Sequence, residues 1–335
     1  MKFGISLFGH HPLNVHPAEN FRGTLALARA AAENGFHLLS AGHHFLMRNF
    51  QKFQTMPAMA RVAAEAPGLH INLLELVPLN HPIRLAEQLA TLDAITDGKL
   101  VFTAVLGYSD KEFANFGIEK SQRLGRYRES LQIIKQLWTE DDVSYDGKHY
   151  QVQGATINPK PVQKPRPPIW VTADATPGVI RAAEDGDVWL MSNHTRVDDL
   201  KEQLSVYAEH YREPACPGAD IGVHRPLMRI LSLAPTLPQA LEQARPALES
   251  TWKQFYGELG QAAEMDDPQD FTQEFDDLWR NRFLIGTPQS VITEIERYQR
   301  ELKADLLMVS IGGPLETKLS VIELFGREVM PHFAP

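Results

Sequence analysis

The sequence predicts an α/β chain folded as one (β/α)8 TIM-type barrel over residues 1–335, with excursions after strands 4 and 7. Three observations predict it. Short apolar runs of strand length alternate with stretches of helical periodicity almost throughout. Eight such runs can be counted, each followed by helical sequence. Segments carrying histidine and tyrosine fall just after several of them, at the strand ends where a parallel barrel builds its site. A doubly wound open sheet is the alternative. Against it, the turn after the first strand reads Gly9-His10-His11-Pro12, not the G-x-G-x-x-G of a dinucleotide-binding unit.

Phe3 to Phe8 reads as the first strand. Residues 19–33 carry Phe21, Leu25, Leu27, Ala28, Ala31 and Ala32 at helical spacing, and Asn34-Gly35 supplies the residue types that end a helix. Phe36–Ala41 is the second strand and Leu69–Val77 the third. Pro82 suits the first turn of a helix, where its missing N–H would have had no partner. Leu85, Leu89, Leu92 and Ile95 form that helix's buried stripe, Asp97-Gly98 stops it, and Leu100–Val105 returns as strand four. A helix over 123–138 follows. The first excursion, 139–167, holds a hairpin with an Asp146-Gly147 turn and a proline-rich run from Pro159 to Pro168. Strands five to eight are Ile169–Ala173, Val188–Met191, residues 226–234 and Leu306–Ser310, with a closing helix at 314–329. The second excursion, 257–282, is acidic, and reads either as a lid that closes over the site with Phe271, Phe275, Leu278 and Trp279 or as a solvated acidic helix extending the one before it.

At 43% hydrophobic residues, the chain can build a large core. The balance of 33 basic and 42 acidic residues, a net charge of −9, argues against nucleic acid or an anionic membrane as partner. A lone cysteine, Cys216, rules out a disulfide within the chain. The opening segment is too short for a signal peptide, and no apolar run approaches the roughly 18 residues of a membrane helix. These features lead us to expect a cytoplasmic protein.

His43 and His44 follow strand two, and histidine exchanges protons near neutral pH. Surface or capping histidines would look the same. With His10, His11, His16 and His81 they also raise a metal hydrolase as a second class of function. That class wants a pattern such as H-E-x-x-H, which is missing, so no metal site is assigned. Asn80 or His81 reads as the cap of the Pro82 helix. Asp174-Ala175-Thr176-Pro177-Gly178 opens the helix after strand five, where N–H groups of Ala175, Thr176 and Gly178 make either an anion site or an ordinary helix start. Arg123 and Arg126 lie three apart on one helix, as a phosphate fork or a solvated basic face.

Taken in order, Ser40-Ala41-Gly42-His43-His44-Phe45, Asn80-His81-Pro82-Ile83-Arg84, Leu106-Gly107-Tyr108-Ser109-Asp110-Lys111-Glu112-Phe113, Pro168-Ile169-Trp170-Val171, Gly186-Asp187, Ser192 and Gly286-Thr287-Pro288-Gln289 resemble the bacterial luciferase-like family of flavin-dependent monooxygenases. The resemblance runs from Met1 to Pro331, and no single motif in it is specific. It implies a barrel that takes reduced FMN as cosubstrate, or in some branches the deazaflavin F420. Reduced FMN and O2 then give a C4a-(hydro)peroxyflavin that oxygenates a small organic substrate. It implies that His43 supports the flavin and its oxygen adduct, with His44 as a second catalytic candidate and His10 and Tyr108 on the substrate side. Gly42 stands where the family usually has an acid. Leu74 and Glu75 match a strand-three bulge under the flavin ring, the place of a non-prolyl cis peptide in many members. Leu106 stands where bacterial luciferase has a phosphate-binding arginine, which shifts the phosphate burden to Arg123 and Arg126; Leu106 itself, Asp174, Ala175, Thr176, Gly178 and Ser192 complete the expected cofactor-binding set. The implied partners are O2, an organic substrate, a separate NAD(P)H:flavin reductase and a second copy in a homodimer. F420-dependent hydride transfer and non-catalytic flavin binding are the alternatives.

Overall fold

Eight parallel strands close into a barrel in the computed structural model, which describes residues 1–7, 11–42, 44–212, 221–249 and 274–334. In chain order the strands are β1 (Lys2–Ser6), β2 (Leu38–Gly42), β3 (His70–Leu76), β4 (Leu100–Val105), β5 (Val143–Asp146), β6 (Gln151–Ala155), β7 (Ile169–Ala173), β8 (Val188–Met191), β9 (Pro226–Leu233), β10 (Leu284–Gly286) and β11 (Leu306–Ile311). The helices are α1 (Pro17–Glu33), α2 (Thr55–Ala63), α3 (Pro82–Ile95), α4 (Asp110–Asn115), α5 (Arg123–Thr139), α6 (Thr176–Asp185), α7 (Val197–His210), α8 (Leu237–Leu248), α9 (Phe275–Leu278), α10 (Pro288–Glu301) and α11 (Leu315–Glu328). The barrel runs β1-β2-β3-β4-β7-β8-β9-β11 and returns to β1. Met191 opposite Leu227 makes the β8–β9 seam. β10 pairs with the outer half of β9, from Leu284 opposite Leu231 to Gly286 opposite Leu233.

Strand alternation sorts side chains between barrel interior and helix layer. Leu38, Val101, Trp170, Val188 and Leu306 belong to one interior cluster and are at most 3% exposed. Next to them lies a buried polar layer. Thr103 donates to Asn72 Oδ1 at 2.6 Å, and Asn72 Nδ2 donates to Ser40 Oγ at 3.1 Å. Each polar group is paired, so the layer is satisfied without water. Outside the barrel, Leu85, Ala86, Leu89 and Ala90 of α3 are fully buried, and Trp138 Nε1 of α5 donates to the Ala86 carbonyl at 3.0 Å.

The expected hairpin is β5–β6, and its tip rests on one carboxylate. Glu129 accepts the N–H groups of Lys148, His149 and Tyr150 at 2.9–3.1 Å. The proline-rich run is tied down through buried polar groups. Gln163 donates its backbone N–H and its side-chain amide to Asp93 of α3 at 3.0 and 2.7 Å. Arg166 grips Asp187 at 2.6 and 2.8 Å.

Two expectations need correction, and a third falls largely outside the described residues. Neither Asn80 nor His81 caps α3: Asn80 Nδ2 donates backwards to the Leu76 carbonyl at 3.0 Å, and His81 makes no cap bond. The Leu74–Glu75 peptide is not cis; among the described residues the cis bonds are Asn158–Pro159 and Lys164–Pro165. Of the lid segment, residues 257–273 lie outside the described residues. Its remainder contains α9, whose Phe275 and Leu278 bury against Ala240, Ala244 and Leu248 of α8 and against Ile285. No described helix is long and apolar enough to cross a membrane.

Candidate functional site

At the C-terminal ends of the strands lies a cavity of about 1000 Å³. Its floor includes Ser6, Gly42, Leu74, Thr172, Met228 and Ser310. That volume is at the upper end for ligand pockets, large enough for a cofactor and a substrate together.

One wall carries a hydrogen-bonded relay. His44 follows β2, and Tyr108 sits on the loop after β4. Gly107 turns that loop with φ +80° while packing on Leu76 and Phe113, so a side chain there would be both strained and crowded. The turn brings the Tyr108 hydroxyl to 3.1 Å from His44 Nε2. His44 Nδ1 lies 3.3 Å from Glu112 Oε1, and the same carboxylate oxygen accepts the Phe45 N–H at 2.6 Å. Glu112 is 1% exposed in the first turn of α4, where the helix dipole favours an anion. A buried carboxylate on Nδ1 makes that nitrogen the donor, leaving Nε2 to accept from Tyr108. The cavity thus has a phenol whose proton is coupled through an imidazole to a carboxylate.

A second wall can hold an anion. Arg123, the first residue of α5, lines the cavity and donates to the Gly107 carbonyl at 2.8 Å. From the end of the neighbouring strand β7, Ala175 and the start of α6 line the same space, with Gly178 and Arg181 further along the helix. Gly178 is needed for packing, since a Cβ there would stand 2.9 Å from Ala173 Cβ. It seats α6 on the end of β7. Asp174, Ser192 and His194 complete this side. His194 Nδ1 lies 3.1 Å from Ser192 Oγ and 3.4 Å from Asp174 Oδ1. The fully buried Arg229 fixes the loop by donating to the Ser192 carbonyl at 2.7 Å.

The residues singled out from sequence therefore divide. His44, Leu74, Leu106, Tyr108, Arg123, Asp174, Ala175, Gly178 and Ser192 meet in one cavity. His10 and His43 lie outside the described residues. Three others face elsewhere. Thr176 does not line the cavity. Arg126 turns aside to donate to the Tyr150 hydroxyl at 3.3 Å, so the expected arginine fork is split. Glu75 points away from the barrel interior because it follows Leu74 on a strand, and it takes a hydrogen bond from Thr55 of α2. Sequence reasoning missed Glu112, Arg181 and His194 as site residues, and two lysines described below. Arg181 had a usable signal, lying one helical turn beyond Gly178.

Burial pushes the Glu75 carboxyl up to about 7 against an ordinary 4.5, and the Thr55 hydrogen bond only partly opposes it. A raised folded-state value means that the stability linked to this group is complete below pH 4.5 and is lost as pH rises through 7. The loss is at most about 3 kcal/mol. Glu75→Gln is expected to remove it, so urea unfolding of wild type minus variant should fall between pH 5 and pH 8. A difference independent of pH would refute the assignment.

Comparison with known proteins now places the chain. A family model described as luciferase-like monooxygenase matches residues 1–303. The chain belongs to this family and is an oxidoreductase of the luciferase-like type. An FMNH2-dependent dimethylsulfone monooxygenase of Pseudomonas putida is 27% identical over 264 residues, covering 75% of this chain and 70% of the relative. The oxygenase component of a flavin-dependent trigonelline monooxygenase of Acinetobacter baylyi is 24% identical over 329 residues, covering 92% and 89%. Among solved structures, a Streptomyces bottropensis monooxygenase superposes with a TM-score of 0.82 at 24% identity, over all of both chains. The oxygenating constituent of 3,6-diketocamphane monooxygenase from Pseudomonas putida, in complex with FMN, gives 0.80 at 19%, covering 99% and 98%. An F420-dependent secondary alcohol dehydrogenase gives 0.77 at 19%, covering 100% and 99%.

Proposed function

We propose that this chain is the oxygenase of a two-component system, using reduced FMN and O2 to oxygenate a small organic substrate. The observation that carries the reading is one cavity with an anion cradle on one wall and the Tyr108–His44–Glu112 relay on another. The cradle fits a single phosphate: among the described residues none hydrogen-bonds the buried Arg181 Nε, and Arg123 lines the same cavity. When bound, reduced flavin supplies oxygen activation. The chain's own residues do the rest. Arg123, Arg181 and the α6 start hold the phosphate. Leu74 and Leu106 give the ring an apolar bed and exclude water. Tyr108 and His44 hold or deliver a proton at the phenolic oxygen and Nε2. The first strand's turn offers no pyrophosphate grip, which supports a separate NAD(P)H:flavin reductase as the source of reduced flavin.

Anaerobic titration tests this reading. Reduced FMN is expected to bind more tightly than oxidised FMN. Arg123→Met should weaken reduced FMN by about 10–100-fold, the worth of a charge-assisted hydrogen bond. Tight binding of reduced F420 with none of reduced FMN would overturn the FMN assignment in favour of hydride transfer. Fast flavin reduction by NAD(P)H with this chain alone would overturn the separate reductase.

A further inference from the structure

We propose that the cavity wall built by β1, β2 and β11 binds the anionic head of an organic acid, held by Lys318 and Lys52. Naming that acid as the oxygenated substrate rests on the monooxygenase reading above. Lys52 comes from the segment between β2 and α2, and Lys318 from the fourth residue of α11. Both line the cavity, and both are half-buried. They are neighbours in electrostatic terms. Burial first, and then the charge of Lys318, holds Lys52 down at about 8. Behind them His11, 9% exposed, is held at about 4 by burial and by both lysine charges, so it is neutral and adds no third cation at pH 7. Lys318 itself is lowered by burial alone. No described carboxylate lies within ion-pair distance of its Nζ. The Lys318 ammonium, with no described carboxylate beside it, shares the cavity lining with Lys52 and sits in the first turn of a 14-residue helix, an arrangement suited to an anion.

That anion is not the flavin phosphate. The phosphate cradle belongs to the loops after β4 and β7. Around the barrel it is separated from the lysine wall by β3 on one side and by β8 and β9 on the other. His44, after β2, and Tyr108, after β4, line the same cavity. A substrate carboxylate or sulfonate on Lys318 and Lys52 would direct the rest of the molecule toward the relay. The two negative groups, on cofactor and substrate, would then sit on opposite walls rather than repel each other at one.

Calorimetric titration of the flavin-free protein with matched pairs tests the proposal: benzoate against benzamide, and octanoate and octane-1-sulfonate against octanamide. In at least one pair the acid should bind about tenfold or more tightly than the amide, as a charge-assisted contact requires. Lys318→Met should abolish that preference, Lys52→Met should reduce it, and Lys318→Arg, which keeps the charge, should retain it. Reduced FMN affinity should be unchanged in all three. No acid preference in any pair, or a preference that survives Lys318→Met, overturns the proposal. So does a loss of reduced FMN binding in Lys318→Met, which would assign the lysines to the cofactor. Failure of the FMN reading is visible separately, as wild type that prefers acids but does not bind reduced FMN.

Discussion

Replacing His44 by alanine is expected to lower turnover by about 10²–10⁴-fold, the usual worth of a positioned proton-transfer group. The expectation rests on geometry. His44 lines the cavity, holds the Tyr108 hydroxyl at 3.1 Å and is oriented by a carboxylate that is itself 1% exposed. Glu112→Gln separates orientation from bulk. An amide presents both a donor and an acceptor to Nδ1, so the tautomer that accepts from Tyr108 is no longer enforced. Turnover should fall less than in His44→Ala, and its pH profile should move. Tyr108→Phe removes the hydroxyl facing the cavity and should fall between the two. Reduced FMN affinity should change little in all three, since the phosphate is held on the other wall. Stopped-flow flavin oxidation with product analysis provides the readout. The sequence offers His43 as the first proton-handling candidate, so His43→Ala belongs in the same series. Full activity of His44→Ala beside an inactive His43→Ala would remove the relay from the reaction.

Much of the architecture is legible from residue order because barrel strands are buried on both sides. Leu100–Val105 reads as a strand by an apolar run broken only at Thr103, and Asp97-Gly98 stops α3 with both residues at positive φ. The same double burial hides which side chains face inward. Leu74 and Glu75 sit in one strand with no hydrophobic alternation to separate them, yet one lines the cavity and the other meets Thr55. Helical spacing misled in a related way at Arg123 and Arg126. Arg123 opens α5 and can reach back to Gly107, whereas Arg126, one turn in, reaches Tyr150. α2 gives little signal because Pro57 stands in its first turn and the helix is only nine residues long. β10, at three residues, is too short for periodicity to register. The Lys52–Lys318 pair was beyond reach of any local pattern, since its members are brought together only by closure of β11 onto β1 and β2.

Asp187→Ala is expected to cost about 3–5 kcal/mol of unfolding free energy, the range for breaking a buried ion pair from one side. Asp187 and Arg166 are 3% and 4% exposed. The carboxylate takes both guanidinium donors at 2.6 and 2.8 Å and also the Ile169 N–H at 2.7 Å. Removing it takes the counter-charge from a buried guanidinium and the acceptor from the Ile169 N–H. The ion pair itself need not be the favourable element, because desolvating two charges offsets much of their attraction. The double variant Arg166→Met with Asp187→Leu, which removes both charges, should therefore be more stable than Asp187→Ala. Urea unfolding midpoints compare the three, and an Asp187→Ala variant as stable as wild type would refute the account. The pair also marks where scaffold ends and site begins. It clamps the proline-rich run to the starts of β7 and β8, whereas Ala173 and the α6 cradle lie at the far end of β7. Asp187→Ala should then lose stability while the folded fraction keeps its affinity for reduced FMN, the reverse of the pattern expected for Arg123→Met.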